Sequence, residues 1–187
     1  MTPNPVQAPR IAASDTHAVL ARHLLVDGYD LVLDLEKSQG VWIADAKSGR
    51  RYFDFFSFFA SAPIGYNHPR VTTPEFRQRL VRAATNNITN SDLYTVEMAE
   101  FVETFSRHAI PESLPHLFLI AGGALAVENA LKAAFDWKIQ RNFAKGYREE
   151  VGTQVIHFRE AFHGRTGYTL SLTNTDPTKT RHFPKFR

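Results

Sequence analysis

The sequence contains no cysteine. A disulfide framework, a thiolate zinc site and a thiol nucleophile are therefore excluded, while the redox compartment stays open. Long apolar runs are also missing: none approaches the ~20 residues that a bilayer span requires. Met1-Thr2-Pro3-Asn4-Pro5 places no basic stretch ahead of an apolar one, so no secretory leader is expected. The expectation is a soluble, cytoplasmic protein without a membrane partner. Excess charge of one sign is scarce: 22 basic residues face 19 acidic ones, a net charge of +3. The basic residues are scattered, with small groups at Arg50-Arg51 and Arg77, Arg79 and Arg82. A mixed solvated surface accounts for them, and no nucleic-acid partner is expected. The eight histidines are dispersed, and no His/Asp/Glu set has metal-ligand spacing. A Walker A loop, a G-x-G-x-x-G fingerprint and a G-x-S-x-G elbow are all absent.

What remains is a globular composition over 187 residues, 43% hydrophobic and 22% charged, enough for one domain or slightly more. Phenylalanine occurs 15 times, with two pairs close together at Phe55-Phe56 and Phe58-Phe59. Residues 1–13 are polar and proline-rich, an expected arm. Ser14, Asp15 and Thr16 offer helix caps for a segment running through Leu25. Alternation in 30–36, then 41–45 and 51–55 separated by turn residues, predicts a small antiparallel meander over 31–55. Residues 57–71, with Pro63, Gly65 and Pro69, predict ordered loop. Helices are expected over 72–84, 93–108 and about 124–141. The apolar run His116–Ile120 suits a strand buried on both faces, as in a parallel sheet. Thr153–Phe158 predicts a further strand, followed by a loop to Gly164 and a helical or extended segment over 166–173. Strand, glycine loop, helix and strand in that order predict an α/β layer.

Two segments could carry chemistry. Gly122-Gly123 lies between an expected strand and an expected helix. Glycine lets an anion approach the backbone, and the first N–H groups of a helix are free at the positive end of its dipole. The pair can serve as a phosphate cradle or simply as a turn. The second segment is Phe162-His163-Gly164-Arg165, placed where open α/β sheets bind ligands. Phe162 could stack on a flat ring or belong to the core, and His163 could exchange a proton or be structural.

Three ordered motifs together resemble the class III aminotransferases, pyridoxal-phosphate enzymes of the ornithine and 4-aminobutyrate type. Gly49–Phe55 followed by Gly65-Tyr66-Asn67-His68-Pro69-Arg70-Val71 resembles their N-terminal pattern G-x-x-Y-x-D-F, then G-x-x-H-P-x-V. Gly123 with Glu128, Ala130 and Lys132 resembles their phosphate-loop helix, and Ala161–Thr166 their [YF]-H-G-R-[ST] loop. The resemblance covers about residues 30 to 187. It narrows, through Gly122–Lys132 and Phe55–Ser61, to the branch that moves the ε-amino group of L-lysine to 2-oxoglutarate.

The resemblance implies an α/β chain of PLP-dependent transferase fold type I, in incomplete form. Residues 1–56 would belong to the small domain, and 57–187 to the first part of the large α/β/α domain. It implies pyridoxal 5'-phosphate as cofactor, with Gly122, Gly123, Ala124, Phe162 and His163 binding it, and Phe58 and Arg165 facing the substrate. A homodimer is implied for the full-length enzyme. Gly122 and Ala124 stand where the family usually has hydroxyl residues, so phosphate contact would rest on amides and the helix dipole. Phe58-Phe59 replaces a stretch of small residues, which suggests a differently shaped substrate pocket. The family's Schiff-base lysine, its pyridine-facing aspartate and its carboxylate-binding arginine are expected beyond Arg187. Lys132 cannot replace that lysine, because it lies about two turns, roughly 12 Å, along the helix behind the loop. No catalytic residue is thus expected within these 187 residues.

Overall fold

In the computed structural model, residues 11–86 and 92–186 are described. The chain forms two units, Met1–Thr95 and Val96–Arg187.

In the first unit, the expected meander is built around a polar knot. Strands β1 (Trp42–Ala44) and β2 (Arg51–Phe53) pair antiparallel, with Trp42 opposite Phe53, Ile43 opposite Tyr52 and Ala44 opposite Arg51. The Trp42 and Phe53 rings meet at 4.1 Å, and the Arg51 guanidinium lies 4.9 Å above the indole. The expected first strand supplies a single bridge, Leu33 to Asp45. Side chains replace the missing ladder. The Asp45 carboxylate accepts from the amides of Val32, Lys47 and Ser48 and from the Ser48 hydroxyl. The hydroxyl of fully buried Ser38 donates to Asp34 O and accepts from the Ala44 amide. Asn67 Nδ2 donates to the carbonyls of Leu35 and Ser38, tying the loop after residue 60 back onto the turn.

Helix α1 (Thr16–Leu20) is shorter than the segment to Leu25 that the caps predict. Asp15 makes no side-chain cap bond, and beyond Leu20 the chain continues as turns, with the His23 and Leu24 amides both donating to Leu20 O and Leu24 and Leu25 exposed. Within the expected loop over 57–71 sits α2 (Ser57–Ala60), a single left-handed turn: φ is +43°, +46°, +56° and +65° along Ser57, Phe58, Phe59 and Ala60. Helix α3 (Pro74–Asn86) matches the helix expected over 72–84, shifted two residues along the chain. Pro74 occupies the first position, and Thr73 Oγ1 accepts from the Phe76 amide.

In the second unit, α4 (Val96–Ala109) and the 22-residue α5 (Gly123–Ala144) match the predicted helices, and α6 (Gly167–Leu172) takes the helical option for 166–173. α6 packs against α5, with the Phe135 and Tyr168 rings 5.5 Å apart. The two expected strands are not formed. Residues 116–120 and 153–158 join no ladder among the described residues, and β1–β2 is the sheet present there. Phe118 is 70% exposed, Phe158 87% and Ile156 fully exposed. An inner parallel strand exists only between neighbouring strands and beneath covering helices. Without those partners an apolar run has nothing to pair with or pack on. The same deficit is seen in the core: among the described residues Ala44 is the one buried hydrophobic side chain.

Candidate functional site

The sequence candidates of the second unit converge at the N-terminus of α5. Gly122 caps the helix with φ +89° and ψ 148°, a conformation that non-glycine residues rarely adopt. The first intrahelical bond runs from the Ala126 amide to Gly122 O at 3.1 Å. No side chain caps the helix, and the amides of Gly123, Ala124 and Leu125 have no acceptor among the described residues. A Cβ added at Gly122 or Gly123 would meet nothing within 4 Å, so the space beside these two glycines is open. Three free N–H groups at the positive end of a 22-residue helix suit a phosphate group. Pyridoxal 5'-phosphate fits this donor set, with Gly122 and Ala124 contributing backbone and no hydroxyl.

The Phe162–Arg165 loop is placed directly against this turn. Gly164 is buried with φ +122°, and a Cβ there would lie 2.5 Å from Ala124 Cβ and 2.9 Å from Ala124 Cα. The loop is fastened from behind: His163 N donates to Thr173 Oγ1 at 3.0 Å, and that hydroxyl donates to Gly164 O at 2.7 Å. Thr173 is fully buried. Phe162 remains 60% exposed, with the Arg165 guanidinium 5.7 Å from its ring centre. Its ring is thus available for stacking and is no core residue here. His163 Nε2 is buried without a partner among the described residues, and its ring meets that of His157 edge-on at 6.4 Å.

The far side of the loop is anchored by Glu128, four residues and about one turn after Ala124 on α5. Its Oε2 accepts from Thr166 Oγ1 at 2.7 Å and from the Thr169 amide at 3.2 Å, and its Oε1 from the Tyr168 amide at 3.0 Å. Thr169, fully buried, accepts from the Thr166 amide at 3.0 Å and meets the Thr166 hydroxyl at 2.8 Å. Burial pushes the Glu128 carboxyl up, but the hydrogen bonds from Tyr168, Thr166 and Thr169, with Lys132 nearby, hold it below its ordinary value. Lys185 Nζ is bonded to Thr173 O at 2.9 Å and Asn174 Oδ1 at 3.1 Å. Glu128, Thr166, Thr169 and Thr173 were not among the sequence candidates for the site. The Thr-x-x-Thr spacing at the start of α6, with Thr166 at the cap and Thr169 in the first turn, is the available signal.

Phe58 belongs to the first unit, on the left-handed turn α2. It packs on Phe56 at 5.3 Å and Tyr66 at 6.4 Å between ring centres, and Phe59 points largely into solvent. Asp54 holds this turn: Oδ1 accepts from the amides of Phe56 and Ser57, and Oδ2 from the Tyr66 hydroxyl at 2.9 Å. The Ser57 amide, and after it Tyr66 and Phe56, keep the Asp54 carboxyl below the usual range against the opposing effect of burial. Burial and the bond to Asp54 push the Tyr66 phenol up to about 12.

Comparison with known proteins gives a consistent result. Residues 26–187 match the family model "Aminotransferase class-III". The L-lysine-epsilon aminotransferase of Mycobacterium tuberculosis is 59% identical over 171 residues, covering 91% of this chain and 38% of that protein. The L-lysine-epsilon aminotransferase of Streptomyces clavuligerus is 55% identical over 176 residues, covering 93% and 38%. A solved lysine aminotransferase from M. tuberculosis superposes with a TM-score of 0.90 at 57% identity, over 94% of this chain and 41% of that one. The chain thus spans about two-fifths of the length of these relatives.

Proposed function

Because this chain belongs to the class-III aminotransferases, with the fold of PLP-dependent transferases of type I, we propose that it forms the N-terminal part of an L-lysine ε-aminotransferase. The reaction moves the ε-amino group of L-lysine to 2-oxoglutarate, giving 2-aminoadipate 6-semialdehyde and glutamate. The observation that carries the reading is the docking of the Phe162–Arg165 loop, through Gly164, onto the open amide turn at Gly123–Leu125. The 59% identity to a protein named for lysine supports the choice of donor.

Pyridoxal phosphate, when bound, supplies the electron sink that transamination needs. This chain's residues bind and orient it. The amides of Gly123, Ala124 and Leu125 hold the phosphate, the face of Phe162 covers the ring, and His163 and Thr173 keep the loop in place. Arg165, beside Phe162 on the same loop, would border the substrate; Phe58, in the first unit, is kept as a substrate-facing residue on the resemblance alone. We assign residues 1–56 to a small domain and 57–187 to the start of the large cofactor domain. The lysine, aspartate and arginine of the chemistry are placed in sequence beyond Arg187. The complete enzyme is read as a cytoplasmic homodimer that takes part in lysine degradation.

The test is a donor panel on the complete enzyme loaded with pyridoxal phosphate, using 2-oxoglutarate and following glutamate. Lysine should exceed ornithine and 4-aminobutyrate in kcat/KM by at least about tenfold, about 1.4 kcal/mol of transition-state preference. A preference for either rival would move the chain to another branch of the family. Failure to bind the cofactor would point instead to a paralogue without catalysis.

A further inference from the structure

The cofactor reading leaves one well-partnered group without a task. Glu128 lies five residues past the start of α5, about 7.5 Å along the axis from Gly123. It is therefore removed from the phosphate amides. Its carboxylate nonetheless accepts from three donors, all from one segment that lies 38 to 41 residues downstream. That segment, Thr166–Thr169, directly follows the loop carrying Phe162. Ala124 and Glu128, one turn apart on the same face of α5, meet this segment at the end nearer the amide turn, and Phe135 meets its Tyr168 ring at 5.5 Å further along. Ala124 receives Gly164, and Glu128 receives Thr166 and the first amides of α6. Gly167 adds a third close approach, since a Cβ there would lie 3.1 Å from Glu128 Oε1.

We propose that Glu128 is a positioning residue that sets the spacing between the two halves of the cofactor site, the amide turn Gly123–Leu125 and the ring of Phe162, without touching the cofactor. The proposal rests on the cofactor reading above. The phosphate half belongs to α5 alone, and its amides stay in place whatever the downstream segment does. The ring half is carried by the loop, whose register on α5 is fixed at Gly164 and at Glu128. Loosening the Glu128 end leaves the loop on α5 held by the Gly164 contact and the Phe135–Tyr168 ring contact alone, and lets the ring of Phe162 shift relative to the amide turn while Thr173 moves with the loop. A ligand that uses both halves then loses affinity, while a ligand that uses only the amides does not. The negative charge matters because every partner of the carboxylate is a donor. An amide in its place turns an N–H toward an N–H or a hydroxyl.

The test measures two ligands on the complete apoenzyme by isothermal titration: pyridoxal phosphate, which spans both halves, and inorganic phosphate, which uses one. Glu128→Gln should weaken pyridoxal phosphate about tenfold, as expected for a lost charge-assisted bond. Its inorganic phosphate affinity should stay within about twofold of the wild type. The visible circular dichroism of the bound cofactor should also fall, because the ring is less firmly oriented. Thr166→Val keeps the carboxylate and removes one donor, so it should show the same split at smaller amplitude. It carries the test if Glu128→Gln does not fold. Pyridoxal phosphate affinity and dichroism unchanged in both variants would overturn the proposal. A parallel loss of both ligands with lowered thermal stability would also overturn it, since that is the signature of a purely structural carboxylate. A wild-type enzyme that fails to bind pyridoxal phosphate would overturn the cofactor reading itself, a result distinct from wild-type binding with unaffected variants.

Discussion

A methyl group at position 164 has nowhere to go. In Gly164→Ala the new Cβ would lie 2.5 Å from Ala124 Cβ, 2.9 Å from Ala124 Cα and 2.9 Å from Thr169 Oγ1. Ala124 sits in the first turn of a 22-residue helix and Thr169 is fully buried, so neither neighbour is the end of a flexible side chain. The backbone adds a second penalty, since φ at 164 is +122°. Holding a side chain in such a conformation costs about 1–3 kcal/mol, and overpacking a tight contact costs about 1–3 kcal/mol more. The sum, about 2–6 kcal/mol, is a large share of the stability of a typical domain, about 5–15 kcal/mol. The cheapest relief is for the loop to lift off α5, which breaks the bond from Thr173 Oγ1 to Gly164 O and carries Phe162 away from the amide turn. The expected result in the complete enzyme is a lowered Tm together with a pyridoxal phosphate affinity reduced by at least about tenfold. Adding Ala124→Gly should restore only part of the loss. It removes the 2.5 Å contact but leaves the Cα and Thr169 contacts and the positive φ. The assay is a cofactor titration paired with thermal unfolding of the apo and loaded forms. Wild-type Tm and affinity in Gly164→Ala would refute the close packing of loop on helix and the site built on it.

Gly123→Val offers a contrast, because a Cβ at that position meets no protein atom within 4 Å. The variant should fold with a Tm near wild type yet lose pyridoxal phosphate, and retained affinity in a titration would remove the phosphate from this turn. Phe162→Ala should leave thermal stability nearly unchanged, since the ring is 60% exposed. Its cofactor affinity should fall by about 1–3 kcal/mol, as for bases stacked on aromatic residues; a lowered Tm with full affinity would mean the ring is only packing. The Tyr66 phenol, pushed up to about 12, should contribute stability that is complete below about pH 10 and is lost as pH rises from there toward 12. The ultraviolet difference titration between wild type and Tyr66→Phe reads it directly, and a midpoint near 10 would contradict the bond to Asp54.

The sequence by itself determined the elements whose causes are local. α3 follows from Thr73 and Pro74 at its start, α4 from the helical spacing of its apolar residues ahead of a proline stop, and α5 from the glycine pair at its start followed by a run rich in helix formers such as Ala, Leu, Glu and Lys. The three motifs that place the chain in its family are also linear. Tertiary structure decided the rest, for identifiable reasons. The runs at 116–120 and 153–158 have strand composition, but a strand is a pairing with neighbours, and the described residues offer those segments no ladder. The left-handed turn at Ser57–Ala60 contains no glycine, and the residue that holds it is the preceding Asp54, which also binds Tyr66 twelve residues on. Gly164 reads locally as a turn, and only its contact with Ala124 makes it a junction between two halves of one site. Glu128 likewise reads as one more charge on a helix. Its partners come from residues 166–169, and bonds across such separations depend on how the chain packs, which neither residue type nor spacing encodes.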